Sequence, residues 1–587
     1  MNCNNIFISC LFIVFLISYV YNLDIDSLTD EEKTELANLK INTDHYIVQS
    51  DDPTVDIQKI LENTQGLRYL ESISDEHHLV EIPPHLIDNL NLNNDSVKVV
   101  ERQFQRYRFH RDIMLWSLPD DPLFPQQWHL HEKTFPFDQM SRDESIDTPI
   151  DINVLPLYSQ GLTGSGVIVA VVDDGLQWNH TEIIDAYFPE GSWDFNGNDS
   201  DPFGSYRDYH GTSVAGVVAA RDNRMCGVGV SYRAMISGIR LLSGPTTDIM
   251  EAKALSYRND LNAIYSSSWG PNDDAMRLDG PGFLTRWAIS KSIKYGRGGL
   301  GSVYVWAGGN GGKNGDNCNY DGYANSRFVI TVAACDFQGK HTYYSEPCAA
   351  LHVTAPSSGG NHSIITSGAT HKYLDGCNMG FGGTSATAPQ VSGVVALLLQ
   401  ANPLLTWRDI QHILILSTRI NDPLDSDWIQ NGAGHWVNHK YGYGLVDAQA
   451  AFNLTQNWKT LNEYIQIPIR INYVNQPLLP GQTIKSTLDI PEDIVIEHVE
   501  IVFTAMHPIR GKLSVSLESP SKTNSILAEQ HRDPNPNYDN WKFTTMRCLG
   551  ESSKGIWTLT VTDNQYLTST QNGTLNYWKL LIYGHNQ

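Results

Sequence analysis

Four short segments hold residues whose types could do chemistry together. Val167 to Val172 is an apolar run of strand length that delivers Asp173-Asp174-Gly175. An acid is thereby placed at the carboxyl end of a buried strand, where α/β sheets keep their sites. Tyr209-His210-Gly211-Thr212-Ser213 opens a run of small residues reaching Ala220, a helix whose first turn can hold an imidazole rigidly. Gly382-Gly383-Thr384-Ser385-Ala386-Thr387-Ala388-Pro389 leads into the apolar helix Val391 to Leu399. Ser385 therefore sits where main-chain N–H groups and the helix dipole favour negative charge. Ser302 to Ala307 reads as a further buried strand and ends in Gly308-Gly309-Asn310-Gly311-Gly312. Taken singly these are a turn-capping acid, a histidine opening a helix, an N-cap serine and an asparagine in a turn. Taken together, in the order acid, imidazole, hydroxyl, they form a nucleophile with its base. A serine hydroxyl attacks poorly until histidine takes its proton, and a carboxylate fixes the imidazole tautomer and stabilises the imidazolium. The Asn310 amide can donate to a developing oxyanion, a contribution whose removal costs roughly 10²- to 10³-fold in rate.

These segments need a scaffold that brings distant residues to one edge. From about Asp121 to Asn453 apolar strands alternate with helical segments, which predicts an α/β domain with a mostly parallel sheet. From Ile465 to Gly584 the pattern changes to short alternating strands between turns, such as Lys512-Leu513-Ser514-Val515-Ser516-Leu517 and Trp557-Thr558-Leu559-Thr560-Val561. That pattern predicts a β-sandwich or jelly roll. Ile6 to Val20 is apolar and uncharged, the length of a signal-peptide core and short for a membrane span. The expected division is a leader over 1–22, a small α/β prodomain over 23–111, the α/β domain over 112–455 and the β domain over 456–587.

Composition, at 41% hydrophobic and 18% charged, is that of a folded protein, but the formal net charge is -24. Such a charge argues against nucleic acid and anionic membranes, and leaves cationic partners, metal ions or simple solubility to explain it. Outside the leader lie Cys226, Cys318, Cys335, Cys348, Cys377 and Cys548, six thiols that permit fifteen pairings. Sequons at Asn94, Asn179, Asn198, Asn361, Asn453 and Asn572 fit a lumenal or extracellular surface. The most basic short stretch, Gln105-Arg106-Tyr107-Arg108-Phe109-His110-Arg111, ends the expected prodomain and reads as a linker or as a cleavage site.

Several longer strings are more specific. Asp121-Pro122-Leu123-Phe124-Pro125-Gln126-Gln127-Trp128, Ser268-Trp269-Gly270-Pro271-Asn272-Asp273-Asp274, Cys318-Asn319-Tyr320-Asp321-Gly322-Tyr323 and Thr406-Trp407-Arg408-Asp409 are of this kind. On these and the triad order, the chain resembles the kexin/furin-type proprotein convertases, subtilisin-like serine proteases with a following P domain. The resemblance implies a calcium-dependent serine endopeptidase that cuts secretory precursors after paired or multiple basic residues. It implies Asp173, His210 and Ser385 as the triad, with Asn310 as the oxyanion donor. It implies Asp273 and Asp321 as acceptors for the first basic residue of a substrate, Asp174 and Asp208 for the second, and Glu251 and Asp279 for the fourth. Carboxylates at fixed places suit the planar guanidinium of arginine. Ser268, Trp269 and Gly270 would form the edge against which an extended peptide lies.

Crowded carboxylates require a cation, and calcium takes six to eight oxygen ligands. The family pattern assigns one site to Asp194, Asp199 and Asp201, a second to Asp121, Glu182 and Asn223, and a third to Asp273, Asp316 and Glu346. It pairs Cys226 with Cys377 and Cys318 with Cys348, leaving Cys335 and Cys548 free or joined to each other. It makes the prodomain an inhibitor removed by self-cleavage after Arg111, with Arg108 at the fourth position, and His77 and His78 could time that release. A soluble monomer of the secretory lumen, or a secreted one, is the expected form. Departures from the pattern are Glu182 in place of Asp, Val214 in place of Cys, and Pro245 where an acid often stands. A general degradative subtilase and an inactive basic-peptide binder are the competing readings, separated by specificity and by labelling of Ser385.

Overall fold

The run Ile168–Asp173 is apolar throughout because both faces of its sheet are covered. The computed structural model describes residues 41–50, 59, 67–72, 77–83, 97–105, 118–131, 149–565 and 572–586. It divides between Met114 and Leu115 into two units. The leader, much of the expected prodomain, and Arg108 and Arg111 lie outside the described residues.

The first unit contains the antiparallel sheet β2-β3-β1-β4, from β1 (Ile41–Ser50), β2 (Arg68–Ser72), β3 (His77–Glu81) and β4 (Val97–Gln105). Tyr46 faces Val80 across the ladder, and both are buried together with Val48 and Ile82. Alternate residues thus line one covered face. The His78 ring lies 6.0 Å from that of Tyr69.

In the second unit seven strands form one sheet in the order β11-β10-β9-β8-β5-β7-β6. They are β5 (Ile168–Asp173), β6 (Trp193–Asp194), β7 (Met235–Arg240), β8 (Ile264–Ser267), β9 (Val303–Ala307), β10 (Val329–Cys335) and β11 (Val353–Pro356). Every ladder in this sheet is parallel. Along β5, Val169 and Val171 join one apolar cluster while Ala170 and Val172 join the other, so the period of two sends alternate residues into two separate cores. The first core holds helices α1 (His210–Ala219) and α4 (Thr387–Ala401); the second holds α3 (Phe283–Tyr295), with α2 (Asp248–Ala254) packed on it. Helix α5 (Trp407–Leu416) opens with a capping box in which Thr406 and Asp409 each receive the other's main-chain N–H. A short hairpin, β12 (Ile364–Ser367) and β13 (Cys377–Phe381), leads into α4, and a smaller one joins β14 (Ile429–Gln430) to β15 (Trp436–Val437).

The remaining strands build a sandwich of two antiparallel sheets. One contains β16 (Ile465–Gln466), β17 (Arg470–Leu478), β19 (Val495–Met506), β22 (Tyr538–Thr545) and β24 (Gly573–His585). The other contains β18 (Thr483–Ile490), β20 (Leu513–Glu518), β21 (Asn524–Ala528) and β23 (Gly555–Asp563). Leu513, Val515 and Leu517 point inward while the residues between them are half-buried, and Trp557, Trp578 and Phe503 fill the centre. Tyr320 and Ala349 from the α/β layer share this core. Two buried ion pairs cross the boundary, Arg408 with Glu497 and Arg327 with Glu500.

Disulfides join Cys226 to Cys377 and Cys318 to Cys348, the pairing that the resemblance implied, and Cys335 and Cys548 are buried free thiols.

Candidate functional site

Strand β5 ends on Asp173, whose carboxylate is only 2% exposed. His210, the first residue of α1, lies with Nδ1 at 2.9 Å from Asp173 Oδ1 and 3.1 Å from Oδ2. A carboxylate only accepts, so Nδ1 carries the proton and Nε2 is left as the base. Asp174 supplies the helix cap: its oxygens accept the main-chain N–H groups of Tyr209, His210 and Gly211 at 2.8–3.0 Å. Gly211 is required there, because a Cβ would stand 2.2 Å from the carbonyl oxygen of Gly175. Burial lowers the His210 pKa, but the charge and hydrogen bonds of Asp173, aided by Asp174, outweigh it and raise the value to about 8. Lys372, stacked on the ring of Tyr209, works the other way.

Ser385 lies half-exposed in the 3-10 turn Thr384–Ala386 that opens α4. Phe381, at the end of β13, packs edge-on to the His210 ring with centroids 5.5 Å apart. This turn also packs on α1, and the Ser385 carbonyl accepts the Ser268 hydroxyl at 3.1 Å. Asn310 follows β9, and its Oδ1 accepts both the N–H (2.8 Å) and the hydroxyl (3.1 Å) of Thr384. Its oxygen being anchored, the amino end of the amide is turned away from Thr384. The glycines around it are obligatory. Gly309 has φ +101°, and a Cβ there would meet Glu346 Oε1 at 2.3 Å.

Asp321 follows the 3-10 turn Cys318–Tyr320 and lies against Gly270. Its Oδ1 accepts the N–H of Tyr323 at 2.6 Å, and a Cβ on Gly270 would come within 2.6 Å of its Oδ2. Ser268-Trp269-Gly270 continues β8, with the Trp269 carbonyl held by the Trp306 indole. Burial, with repulsion from Asp273 and Asp316, pushes the Asp321 pKa up to about 8. Asp273 accepts the N–H of Asn310 at 3.2 Å. Asp279 pairs with Asp321 in an isolated parallel bridge and is exposed. Glu251 accepts the hydroxyls of Thr246 (2.8 Å) and Tyr323 (2.5 Å). The sandwich holds the segment carrying Asp321. The Asn319 amide donates to the Thr544 carbonyl at 3.1 Å, the Asn325 amide to that of Lys542 at 2.7 Å, and the Tyr320 hydroxyl to that of Glu529 at 3.1 Å.

The three acidic clusters differ. In one, Arg240 donates to Asp194 (2.6 Å) and to Asp208 (2.9 Å). Asp194 Oδ1 also accepts the N–H groups of Asn196 and Gly197, and Asp208 accepts from Ser205 and Ser243. Arg240, Ser205 and Ser243 thus meet the charge of Asp208, for which the resemblance implied a substrate-binding role. Asp194 already has a guanidinium partner where a metal ion was expected. Asp199 and Asp201 are exposed, and Asp201 accepts the Trp178 indole at 2.8 Å.

In the second cluster Asp121 Oδ2 and both oxygens of Glu182 are buried without a hydrogen-bond partner, while Asn223 N donates to Asp121 Oδ1. Burial, reinforced by mutual repulsion, raises Glu182 to about 8, and burial raises Asp121 to about 6. In the third, Asp316 and Glu346 are buried behind the Asn310 loop, and burial with repulsion from Asp316 and Asp273 raises Glu346 well above its ordinary value. Among the described residues no three His, Cys, Asp or Glu side chains form a ready metal cage. The orphaned oxygens of Asp121 and Glu182 nevertheless fit a hard cation with oxygen ligands.

Sequence reasoning missed Arg240, Tyr323 and Phe381. A signal existed for Arg240, since it ends the otherwise uncharged strand β7 and lies in register with Asp173.

The description "Subtilase family" matches residues 164–444, and "Proprotein convertase P-domain" matches residues 496–582. Proprotein convertase subtilisin/kexin type 4 of Mus musculus is 38% identical over 520 residues, 86% of this chain and 76% of the relative. Furin of Bos taurus is 38% identical over 520 residues, 86% of this chain and 62% of the relative. The chain therefore spans part of each relative's length. The crystal structure of the serine protease of Aeromonas sobria has a TM-score of 0.69 at 23% identity, covering 82% of this chain and 99% of that one, a likeness of fold.

Proposed function

Since this chain belongs to the proprotein convertase family of subtilases and is a serine endopeptidase, we propose that it is a calcium-dependent processing enzyme of the secretory lumen, cutting precursors after paired or multiple basic residues. In this reading Ser385 attacks the scissile carbonyl, His210 Nε2 takes its proton and returns it to the leaving amine, and Asp173 steadies the imidazolium. The Asn310 amide donates to the oxyanion. The observation that carries the specificity is Asp321. Its pKa is raised and one of its oxygens faces Gly270, and an arginine of the substrate would supply the cationic partner that no described side chain supplies. Asp273, with Asp174, Glu251 and Asp279 as further acceptors, extends the preference along the peptide.

Calcium would be held by Asp121, Glu182 and Asn223, and by Asp273, Asp316 and Glu346. There it would offset carboxylate repulsion behind the oxyanion loop. The exposed Asp199 and Asp201 could bind it only beside an Asp194 already paired with Arg240. Activation would follow cleavage after Arg111, releasing an inhibitory prodomain. No helix among the described residues is long and apolar enough to cross a membrane.

The test is cleavage of Arg-x-Lys-Arg reporters with Arg or Ala at the first and fourth positions, with and without chelator. Arginine at the first position should be preferred by orders of magnitude, chelation should abolish turnover, and Ser385→Ala should be inactive. Equal cleavage of the Ala peptides would mark a degradative enzyme instead.

A further inference from the structure

Helix α3 (Phe283–Tyr295) buries Thr285, Ala288, Ile289, Ser292 and Ile293 against the sheet. Its outer face carries large apolar side chains and no acid. Phe283 is 70% exposed, Trp287 55% and Tyr295 56%, and Leu284 and, from α2, Ile249 extend the same surface. The exposed positions between these side chains are Arg286, Ser290, Lys291 and Lys294. The Lys291 ammonium lies 5.5 Å from the Trp287 ring and 5.2 Å from that of Tyr295, and Lys294 lies 5.1 Å from Tyr295. In a chain with a net charge of -24, no Asp or Glu occurs between Asp279 and Asp316, while Arg286, Lys291, Lys294, Arg297 and Lys313 all do.

We propose that this face of α3 docks on an anionic phospholipid surface, with the helix lying in the plane of the headgroups. Three observations select this occupant. The aromatic side chains are those that settle at the boundary between headgroups and hydrocarbon. Lysines interleaved with rings bury their stems while keeping the ammonium at headgroup level. The charge of the patch is opposite in sign to that of the molecule and complementary to such a lipid. A soluble polyanion would use the lysines but leave the exposed Phe, Trp, Leu and Ile side chains without a partner. The acidic remainder does not forbid the contact, because at physiological salt charges beyond about 8 Å of the surface are largely screened. The helix is also rigidly mounted, since the Asp248 carboxylate accepts the N–H groups of Leu284 and Thr285 at 2.9 Å.

The test is co-flotation of the full chain with vesicles of phosphatidylcholine alone or with a third phosphatidylserine. Binding is expected only to the anionic vesicles, weakening as salt rises. Phe283→Ala with Trp287→Ala, and separately Lys291→Glu with Lys294→Glu, should each reduce it at least tenfold while cleavage of a soluble peptide stays unchanged, which certifies the fold. Binding that neither pair alters overturns the proposal. So does absence of flotation by a chain that heparin or polyglutamate retains in solution, which would assign the patch to a soluble polyanion.

Discussion

Two acidic clusters in the α/β layer solve the same electrostatic problem in opposite ways. Asp194 and Asp208 are nearly buried, yet each is met by the guanidinium of Arg240 and by hydroxyl or main-chain donors. Burial raises the Asp208 pKa, but the donors from Ser243, Ser205 and Arg240 outweigh it and hold the carboxyl below its ordinary range. Asp121 and Glu182 are as deeply buried, and among the described residues no cationic side chain pairs with them; burial pushes their carboxyls up to about 6 and about 8. Where the chain carries its own arginine the carboxylates are paired; where it does not, they are left as the pair that the proposed function assigns to calcium.

The comparison can be broken most severely at Arg240. Arg240→Met leaves two buried carboxylates uncompensated and should cost about 3–5 kcal/mol of stability in urea unfolding. An unchanged midpoint would mean that the guanidinium is dispensable and the contrast illusory. Next in size is the response to calcium. At an ion concentration of 100 times Kd the wild-type chain should gain about 2.7 kcal/mol. Glu182→Gln should forfeit most of that gain while folding well without the ion, as calcium-dependent thermal melts would reveal.

The smallest effect is a difference in slope with pH. In chelator, folded Glu182 and Asp121 retain protons that the unfolded chain has already released between their ordinary values near 4.5 and 3.8 and their raised values near 8 and 6. Stability should accordingly fall as pH rises through that window, by at most about 1.4 kcal/mol per pH unit for each proton. Calcium or Glu182→Gln should flatten the slope. Asp208 contributes in the opposite sense: its share is present above the ordinary carboxylate value and is lost as pH falls through the lowered one. Melting temperatures across pH, for the wild type and Glu182→Gln, separate the two contributions.

Much of this was legible before any coordinates. The parallel sheet follows from runs such as Val167 to Val172 that are apolar on both faces, and the sandwich from the alternation in Leu513–Glu518. The triad order could be read because each member sits at the end of an element that the sequence announces. Other contacts could not be read, because they depend on register between segments far apart in the chain. Nothing local to Arg240 says that Asp208 lies opposite its side chain, and nothing local to Asp174 says that its oxygens cap α1. Tyr323, quoted only within a longer string, is a further case: its hydroxyl reaches Glu251, 72 residues away in the chain.

The supports that Asn319, Tyr320 and Asn325 find in Thr544, Glu529 and Lys542 have a temporal corollary. Synthesis runs from the amino end, and early portions can fold while later ones are still being made. Asp173, His210 and Ser385 leave the ribosome more than a hundred residues before Glu529 and Thr544 do. The segment bearing Asp321 consequently gains its last braces only once the strand carrying Thr544 has been made, well after the residues at 173, 210 and 385.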